Sequence, residues 1–172
     1  GGTDPGPRPA PRTAARRDAD HPMVTGVAGF LLDTNVVSEL MKRRPSRQVV
    51  AWVDQTPEPL IHLSVVTLGE IRKGIDLLED DDPRRATLQV WLDRDLRVRF
   101  AGRLLAFDAA VAERWGQLEA VAKRRRLTLP TIDAQLAATA LHHGLTFVTR
   151  NTADVEPTGV PVINPWRHPF KG

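Results

Sequence analysis

The sequence predicts an α/β domain built on a central, mostly parallel sheet of about five strands flanked by helices. Short apolar runs that suit buried strands alternate with longer segments whose apolar residues recur at helical spacing. Gly, Pro, Asn and Asp separate these segments, and the sequence contains no internal repeat. In a sheet of this kind ligands bind beyond the carboxyl ends of the strands, so functional residues are expected there.

Five strands and six helices are predicted from the apolar pattern and from residues that start or stop helices. The strands are expected at 27–32, 60–65, 103–107, 145–149 and 160–163. The helices are expected at 34–41, 47–53 and 68–78, after Asp82 and Asp108, and from Thr131 or Asp133 to Gly144. Ser46 is a suitable N-cap for the second helix, and the Asp82-Pro83 pair is a typical helix start.

The N-terminal segment differs in composition from the rest of the chain. Residues 1–26 are rich in Pro and Arg and poor in large apolar side chains, so they cannot bury enough surface to offset the entropy of ordering. We expect 1–26 to be a disordered tail, with Met23 as a possible natural start, and 27–172 to be a single domain. No apolar run approaches the roughly 20 residues of a membrane span. The tail lacks the apolar core of a secretory signal, so a cytoplasmic location is expected.

The cysteine content and the charge distribution limit which metal-binding and ligand-binding sites the chain can form. The chain has no cysteine, which excludes disulfides and thiolate zinc sites. The net charge is only +3, but the basic residues are clustered, and such clusters can follow a phosphate backbone. The two clusters are Lys42, Arg43, Arg44 and Arg47, and Lys123, Arg124, Arg125 and Arg126. The alternative is that these cations only complement the dipoles of helix C-termini.

Four acids follow or face the ends of predicted strands. Asp33 comes directly after the first strand, and Glu70 lies near the start of the helix that follows the second. Asp133 lies in the first turn of a later helix, and Asp154 lies in the loop after the fourth strand. Each has an ordinary alternative explanation, as an N-cap, a solvated side chain or a turn residue.

Taken together, the four acids predict a cation site. Two carboxylates about 4 Å apart repel each other by about 4 kcal/mol at an effective dielectric near 20. Several such groups can remain ionised together only when a cation joins them. Oxygen ligands without cysteine favour a hard ion, Mg²⁺ or Mn²⁺. An ion held in this way suits the hydrolysis of phosphate esters.

Four segments resemble the PIN-domain family in their order and spacing: LLDTNVVSEL, TLGEIRKG, PTIDAQLAATAL and VTRNTAD. The chain is similar to the VapC toxins of bacterial type II toxin–antitoxin pairs, particularly their FitB-like branch, and its closing NPW is similar as well. The resemblance extends from residue 28 to residue 166. It implies a three-layer PIN fold and an endoribonuclease that depends on Mg²⁺ or Mn²⁺.

The resemblance also assigns roles to residues and implies partners. Asp33, Glu70 and Asp133 take the positions of the family's metal-binding acids, and Asp154 takes that of a fourth catalytic acid. Thr34, Asn35, Ser38 and Asn151 would orient these acids, and the two basic clusters would guide the RNA. Some related chains have an acid where this chain has Asn151. The implied partners are a second copy of the chain and a VapB-type antitoxin, through which any DNA contact would be indirect.

Two other functions compete with a nuclease. A haloacid-dehalogenase-like phosphatase also has an Asp directly after a strand. That chemistry requires a second acid two residues later, where this chain has Asn35. The more serious alternative is a PIN-fold RNA-binding or regulatory module without catalytic activity.

Changing Arg43 and Arg44 to Ala is expected to weaken RNA binding and to flatten its dependence on salt, because fewer counterions would be released from the RNA. Binding titrations at several salt concentrations would measure the slope. A slope unchanged by the substitutions would instead assign both residues to a protein–protein surface.

Overall fold

The computed structural model describes residues 28–169 and contains a five-stranded sheet, all parallel, in the order β3-β2-β1-β4-β5. This confirms the α/β class and the five strands predicted from the sequence. The predicted tail, 1–26, lies outside the described residues. The strands are β1 (Phe30–Leu32), β2 (Ile61–Ser64), β3 (Leu104–Leu105), β4 (Thr146–Val148) and β5 (Val162–Ile163).

Helices follow the strands and cover both faces of the sheet. A π-helical turn, Trp91–Asp95, joins α4 to α5, so the two run on as one helix. A 3₁₀ turn, Pro165–Arg167, follows β5. The helices are α1 (Thr34–Leu40), α2 (Arg47–Gln55), α3 (Val65–Asp76), α4 (Pro83–Val90), α5 (Leu96–Arg99), α6 (Ala109–Arg124), α7 (Thr131–His142) and α8 (Thr152–Val155).

Successive residues of the central strands enter different hydrophobic clusters, because side chains alternate between the two faces of a sheet. Leu32 and Val148 pack with Val36, Val49 and other residues on one face. Leu31 and Phe147 pack on the other face against α7. Ala137 and Ala140 in α7 are fully buried there, and their small side chains let the helix approach the sheet closely. The result is a three-layer α/β/α arrangement.

The carboxyl ends of β1, β2 and β4 meet at one edge of the sheet. β1 pairs with both β2 and β4, and all three run in the same direction. The amide of Asp33, just beyond β1, donates to the carbonyl oxygen of Val148 at the end of β4, at 2.9 Å. α1 begins at Thr34 and α3 at Val65, directly after β1 and β2. This edge therefore brings the starts of two helices together with the segment that leaves β4.

Several local predictions differ from the structure. β1 begins at Phe30 rather than at residue 27, and Gly29, just before it, has a φ of 144°, which L-residues of a strand do not adopt. A Cβ at Gly29 would lie 2.6 Å from the carbonyl oxygen of Leu60, so only glycine fits. β3 has two residues rather than five, as it is an edge strand paired only with β2.

Two capping and loop predictions are also corrected. Ser46 precedes α2, but its side chain caps no amide and donates instead to Gln48 Oε1 at 3.0 Å. Asp154 lies in the first turn of the short helix α8 rather than in a loop. By contrast, Asp82 and Asp108 accept from backbone amides at the starts of α4 and α6, as predicted. No helix within residues 28–169 has both the length and the apolar character needed to cross a membrane.

Phe147→Ala is expected to destabilise the protein by about 3–5 kcal/mol, the usual cost of removing a large buried aromatic side chain. Phe147 in β4 is fully buried and packs against α7. Val162→Ala on the neighbouring strand is the matched control, because Val162 is 37% exposed. Denaturant unfolding would measure both, and equal losses of stability would contradict the assignment of the core.

Candidate active site

A cleft of about 590 Å³ lies at the carboxyl edge of the sheet. It is lined by the starts of α1, α3 and α7, by the segment after β4, and by the turn after β5. All but one of the eight predicted catalytic, metal-binding and orienting residues lie in this lining, together with one residue of the basic clusters, Lys42. They are Asp33, Thr34, Asn35, Ser38, Lys42, Glu70, Asp133 and Asn151.

Asp33 is the most deeply buried of the predicted acids, with 4% of its surface exposed. One carboxylate oxygen accepts from the Thr34 amide at 2.7 Å, so Asp33 also caps α1. The other oxygen accepts from the Thr149 hydroxyl at 2.6 Å. Burial raises the pKa of the Asp33 carboxyl above its usual value, while the hydrogen bond from Thr149 acts in the opposite direction.

Thr149 holds Asp33 in place and was not predicted from the sequence. Its hydroxyl donates to Asp33 and accepts from the Asn151 amide at 3.0 Å and from Asn35 Nδ2 at 3.4 Å. A hydroxyl has one donor and two acceptor positions, so all three are used and its orientation is fixed. The available signal was its place at the end of the strand that precedes Asn151.

Glu70 and Asp133 face the same cleft from two different helices. Glu70 lies in the second turn of α3, about one quarter exposed, with Lys73 Nζ 3.7 Å from its carboxylate. Asp133 lies in the first turn of α7. Partial burial, followed by the charges of Asp33, Asp154 and Glu70, raises the pKa of Asp133 to about 6. The charges of the other three predicted acids therefore all act on the Asp133 carboxyl.

Asp154 and Asn151 occupy different positions relative to the cleft. Asn151 lines it, whereas Asp154 is exposed on α8 and is not part of the lining. Asp154 nevertheless acts on the cleft, because its charge contributes to the raised pKa of Asp133. The role of Asp154 as a fourth catalytic acid stays a prediction.

The donors in the cleft suit a hard divalent ion, although they are not gathered into a finished coordination shell. Within residues 28–169, no group of three or more His, Asp or Glu side chains lies close enough to hold an ion. The available donors are the carboxylates of Asp33, Glu70 and Asp133, and oxygen donors are what Mg²⁺ and Mn²⁺ prefer. Asn35 Oδ1 is buried without a hydrogen-bond partner, and a cation or a water molecule bound to it would satisfy it.

Glu39 is a further acid of the cleft, and its position in an apolar stretch of α1 was the sequence signal. It is only 7% exposed and accepts from Lys42 Nζ at 2.7 Å and from the Ser46 amide at 2.8 Å. The hydrogen bond from Lys42 is the main reason that the pKa of Glu39 is lowered. Glu39 is therefore held in its ionised form by a close ion pair with Lys42.

The two predicted basic clusters differ in their distance from the cleft. Lys42 lines it, whereas the other members of its cluster are exposed and do not. Lys123 and Arg124 end α6, and Arg125 and Arg126 begin the connection that leads to Pro130 at the cleft. Contact of these clusters with RNA stays a prediction. Arg150 and Trp166, which also line the cleft, were not predicted as site residues.

Without divalent ions, Asp133→Asn is expected to stabilise the protein above pH 6 and to lose this advantage as the pH falls. The pKa of Asp133 is raised from 3.8 to about 6, so the folded state resists its ionisation. The resulting loss of folding free energy is complete above pH 6. It disappears below 3.8, where the carboxyl is protonated in both folded and unfolded chains. Thermal unfolding in EDTA across this range would measure the difference.

The exposed Asp81→Asn serves as the control for that comparison. Its unfolding curves give the effect of removing one exposed carboxylate outside the cleft. A difference between Asp133→Asn and the parent protein that stays constant with pH would mean that Asp133 titrates normally.

Comparison with known proteins identifies the family. The PIN domain family matches residues 30–154. Toxin FitB of Neisseria gonorrhoeae is 38% identical over 137 residues, which cover 80% of this chain and 98% of FitB. VapC ribonuclease Y4jK of Sinorhizobium fredii is also 38% identical over 137 residues, covering 80% of this chain and 97% of Y4jK.

The solved structures agree with the sequence comparison. A chain in the crystal structure of FitAcB from Neisseria gonorrhoeae matches with a TM-score of 0.75 at 38% identity, over 80% of this chain and 99% of that one. The parallel five-stranded sheet and the acids at its carboxyl edge thus lie in the part of the chain that is similar to these proteins. This chain belongs to the PIN-domain family, and its relatives there include toxins of the FitB and VapC type.

Proposed function

We propose that this chain is the toxin of a toxin–antitoxin pair and an endoribonuclease that cleaves phosphodiester bonds of RNA with Mg²⁺ or Mn²⁺. One observation carries the proposal. Asp33, Glu70 and Asp133 come from three separate elements and line one cleft, where their charges and burial raise the pKa of Asp133 to about 6. Perturbed carboxylates gathered in one cleft are typical of sites that act on a charged substrate.

Asp33, Asp133 and Glu70 are the residues that would hold the ion. A bound divalent ion would supply a positive charge for the phosphate and would lower the pKa of an attacking water. Thr149 and the Thr34 amide keep the Asp33 carboxylate in one orientation. At neutral pH Asp133 is mostly ionised, because its pKa of about 6 lies below the pH. Glu70 is the more accessible acid and would orient the water or share the ion.

The relatives support both parts of the proposal. FitB is named a toxin and Y4jK a VapC ribonuclease, each matching this chain over 137 residues. By similarity, the partner would be a VapB-type antitoxin that covers the acidic cleft, with a cationic side chain suited to its charge. The chain would act as a homodimer in the cytoplasm, where RNA is available, and would contact DNA only through the antitoxin.

A PIN-fold RNA-binding module without catalytic activity is the second candidate. One observation favours it. No three acids in the described part of the chain lie close enough to hold an ion as they stand. In that case the cleft would bind RNA but would not cleave it, with or without a divalent ion.

Cleavage of total bacterial RNA by the purified, antitoxin-free protein should require Mg²⁺ or Mn²⁺ and should stop in EDTA. Asp33→Asn and Asp133→Asn should each reduce cleavage to background without unfolding the protein, because only a charge is removed. Asp76→Asn is the control, since Asp76 is exposed at the end of α3 and does not line the cleft. Gel analysis of the RNA would show discrete fragments, and sequencing their ends would identify the cleaved sites.

The outcomes separate the two candidates. Cleavage that persists in EDTA or in Asp33→Asn would exclude the metal mechanism. Absence of cleavage by folded protein with either ion, across transfer and ribosomal RNA, would favour the RNA-binding module.

A further inference from the structure

Among residues 28–169, more carboxylates than cations line the cleft. Four carboxylates face it, on Asp33, Glu39, Glu70 and Asp133, but only two cations, Lys42 and Arg150. Lys42 is already joined to Glu39 by a salt bridge of 2.7 Å. Arg150 forms no salt bridge with any residue between 28 and 169. The charge of Arg150 helps to lower the pKa of Glu39, but its N–H groups are engaged in no salt bridge and remain available to a ligand.

Arg150 is held in place although it is exposed. Its guanidinium carbon lies 5.3 Å from the centre of the Trp166 ring, and its neighbour Thr149 is fixed by Asp33. Trp166 is half-buried and packs against the main hydrophobic cluster. Asn164 connects the two: its Oδ1 accepts from the Trp166 amide at 3.0 Å, and its Nδ2 donates to the Arg150 carbonyl oxygen at 3.5 Å.

Arg150 remains exposed beside the Trp166 ring, so its hydrogen-bonding groups are accessible. A guanidinium carries five N–H donors in one plane and attracts the electron-rich face of an aromatic ring through its charge, without using those donors. Two of these N–H groups match the spacing of two oxygens on one phosphate. The contact with the ring also restricts the side chain in advance, so less entropy is lost when a ligand binds.

An RNA strand that enters this cleft would meet several carboxylates and would need a compensating cation. We propose that Arg150 binds an RNA phosphate in the cleft with two hydrogen bonds, and that Trp166 is the positioning residue that holds the guanidinium in place. The inference rests on the proposed function in taking RNA as the ligand. It concerns binding, which can be measured when no cleavage occurs.

The test uses the full chain carrying Asp133→Asn, which prevents the proposed cleavage, with a labelled unstructured RNA of about 20 nucleotides, long enough for a single-stranded site. Binding is followed by fluorescence anisotropy at a fixed Mg²⁺ concentration while the KCl concentration is varied. Adding Arg150→Ala should raise Kd about tenfold, the effect of losing a charge-assisted contact. It should also reduce the slope of log K against log salt by about 0.7, the value for one phosphate on a single strand.

Arg167→Ala is the matched control. Arg167 lies next to Trp166 in the same turn, is exposed and does not line the cleft, so its loss should change neither Kd nor the slope by much. Equal effects of Arg150→Ala and Arg167→Ala would reduce Arg150 to a general surface charge and overturn the proposal. An Arg150→Ala protein with unchanged Kd and slope would overturn it as well.

Variants of Trp166 test the positioning role separately. Trp166→Leu should weaken binding while Arg150 is present and should add nothing to Arg150→Ala, whereas Trp166→Phe should keep most of the affinity because it keeps an aromatic face. If Trp166→Leu weakens binding equally in both backgrounds, Trp166 contacts the RNA itself and the positioning role is wrong. If the parent chain cleaves no RNA, the nuclease proposal fails, while these binding results still decide the role of Arg150.

Discussion

The hydrogen bond from the Thr149 hydroxyl to the Asp33 carboxylate connects the two central strands at the point where the cleft begins. A carboxylate that is 4% exposed is costly unless its oxygens find donors. Here the donors are the Thr34 amide and the Thr149 hydroxyl, supplied by the start of α1 and the end of β4. Because the Thr149 hydroxyl also accepts from Asn35 and Asn151, the position of Asp33 depends on both strands at once.

The sheet makes this arrangement possible, because its strands are all parallel. β1 lies between β2 and β4, so the chain returns twice to the same edge beside Asp33. α3 and α7 then direct Glu70 and Asp133 into the same cleft. The packing of α7 against Leu31 and Phe147 through small residues fixes the helix that carries Asp133. The packing of α7 in the core therefore also sets the position of the Asp133 charge in the cleft.

Much of the fold, and part of the site, follows from local sequence. The order of strands and helices was predicted because apolar spacing is a local property, and Asp82 and Asp108 cap helices as expected. Strand lengths were less predictable, since they depend on pairing partners that local sequence does not contain. The edge strand β3 keeps two residues for this reason. Asp33, Glu70 and Asp133 were recognised because each lies close to a strand end or a helix start.

Most of the unpredicted site residues share a different origin. Thr149, Arg150 and Trp166 owe their roles to contacts between segments that are distant in the sequence, whereas the partners of Glu39 are nearby in the chain. Thr149 and Asp33 are separated by 116 positions, and nothing in either local sequence indicates that pairing. Arg150 is a similar case, because an arginine in a connecting segment is unremarkable until Trp166 and Asn164 are seen beside it.

The same long separation has a consequence for synthesis of the protein. The ribosome produces Asp33 early, but its partner Thr149 follows 116 residues later, and Trp166 comes later still. A nascent chain therefore cannot complete the cleft until nearly all of the described residues have left the exit tunnel.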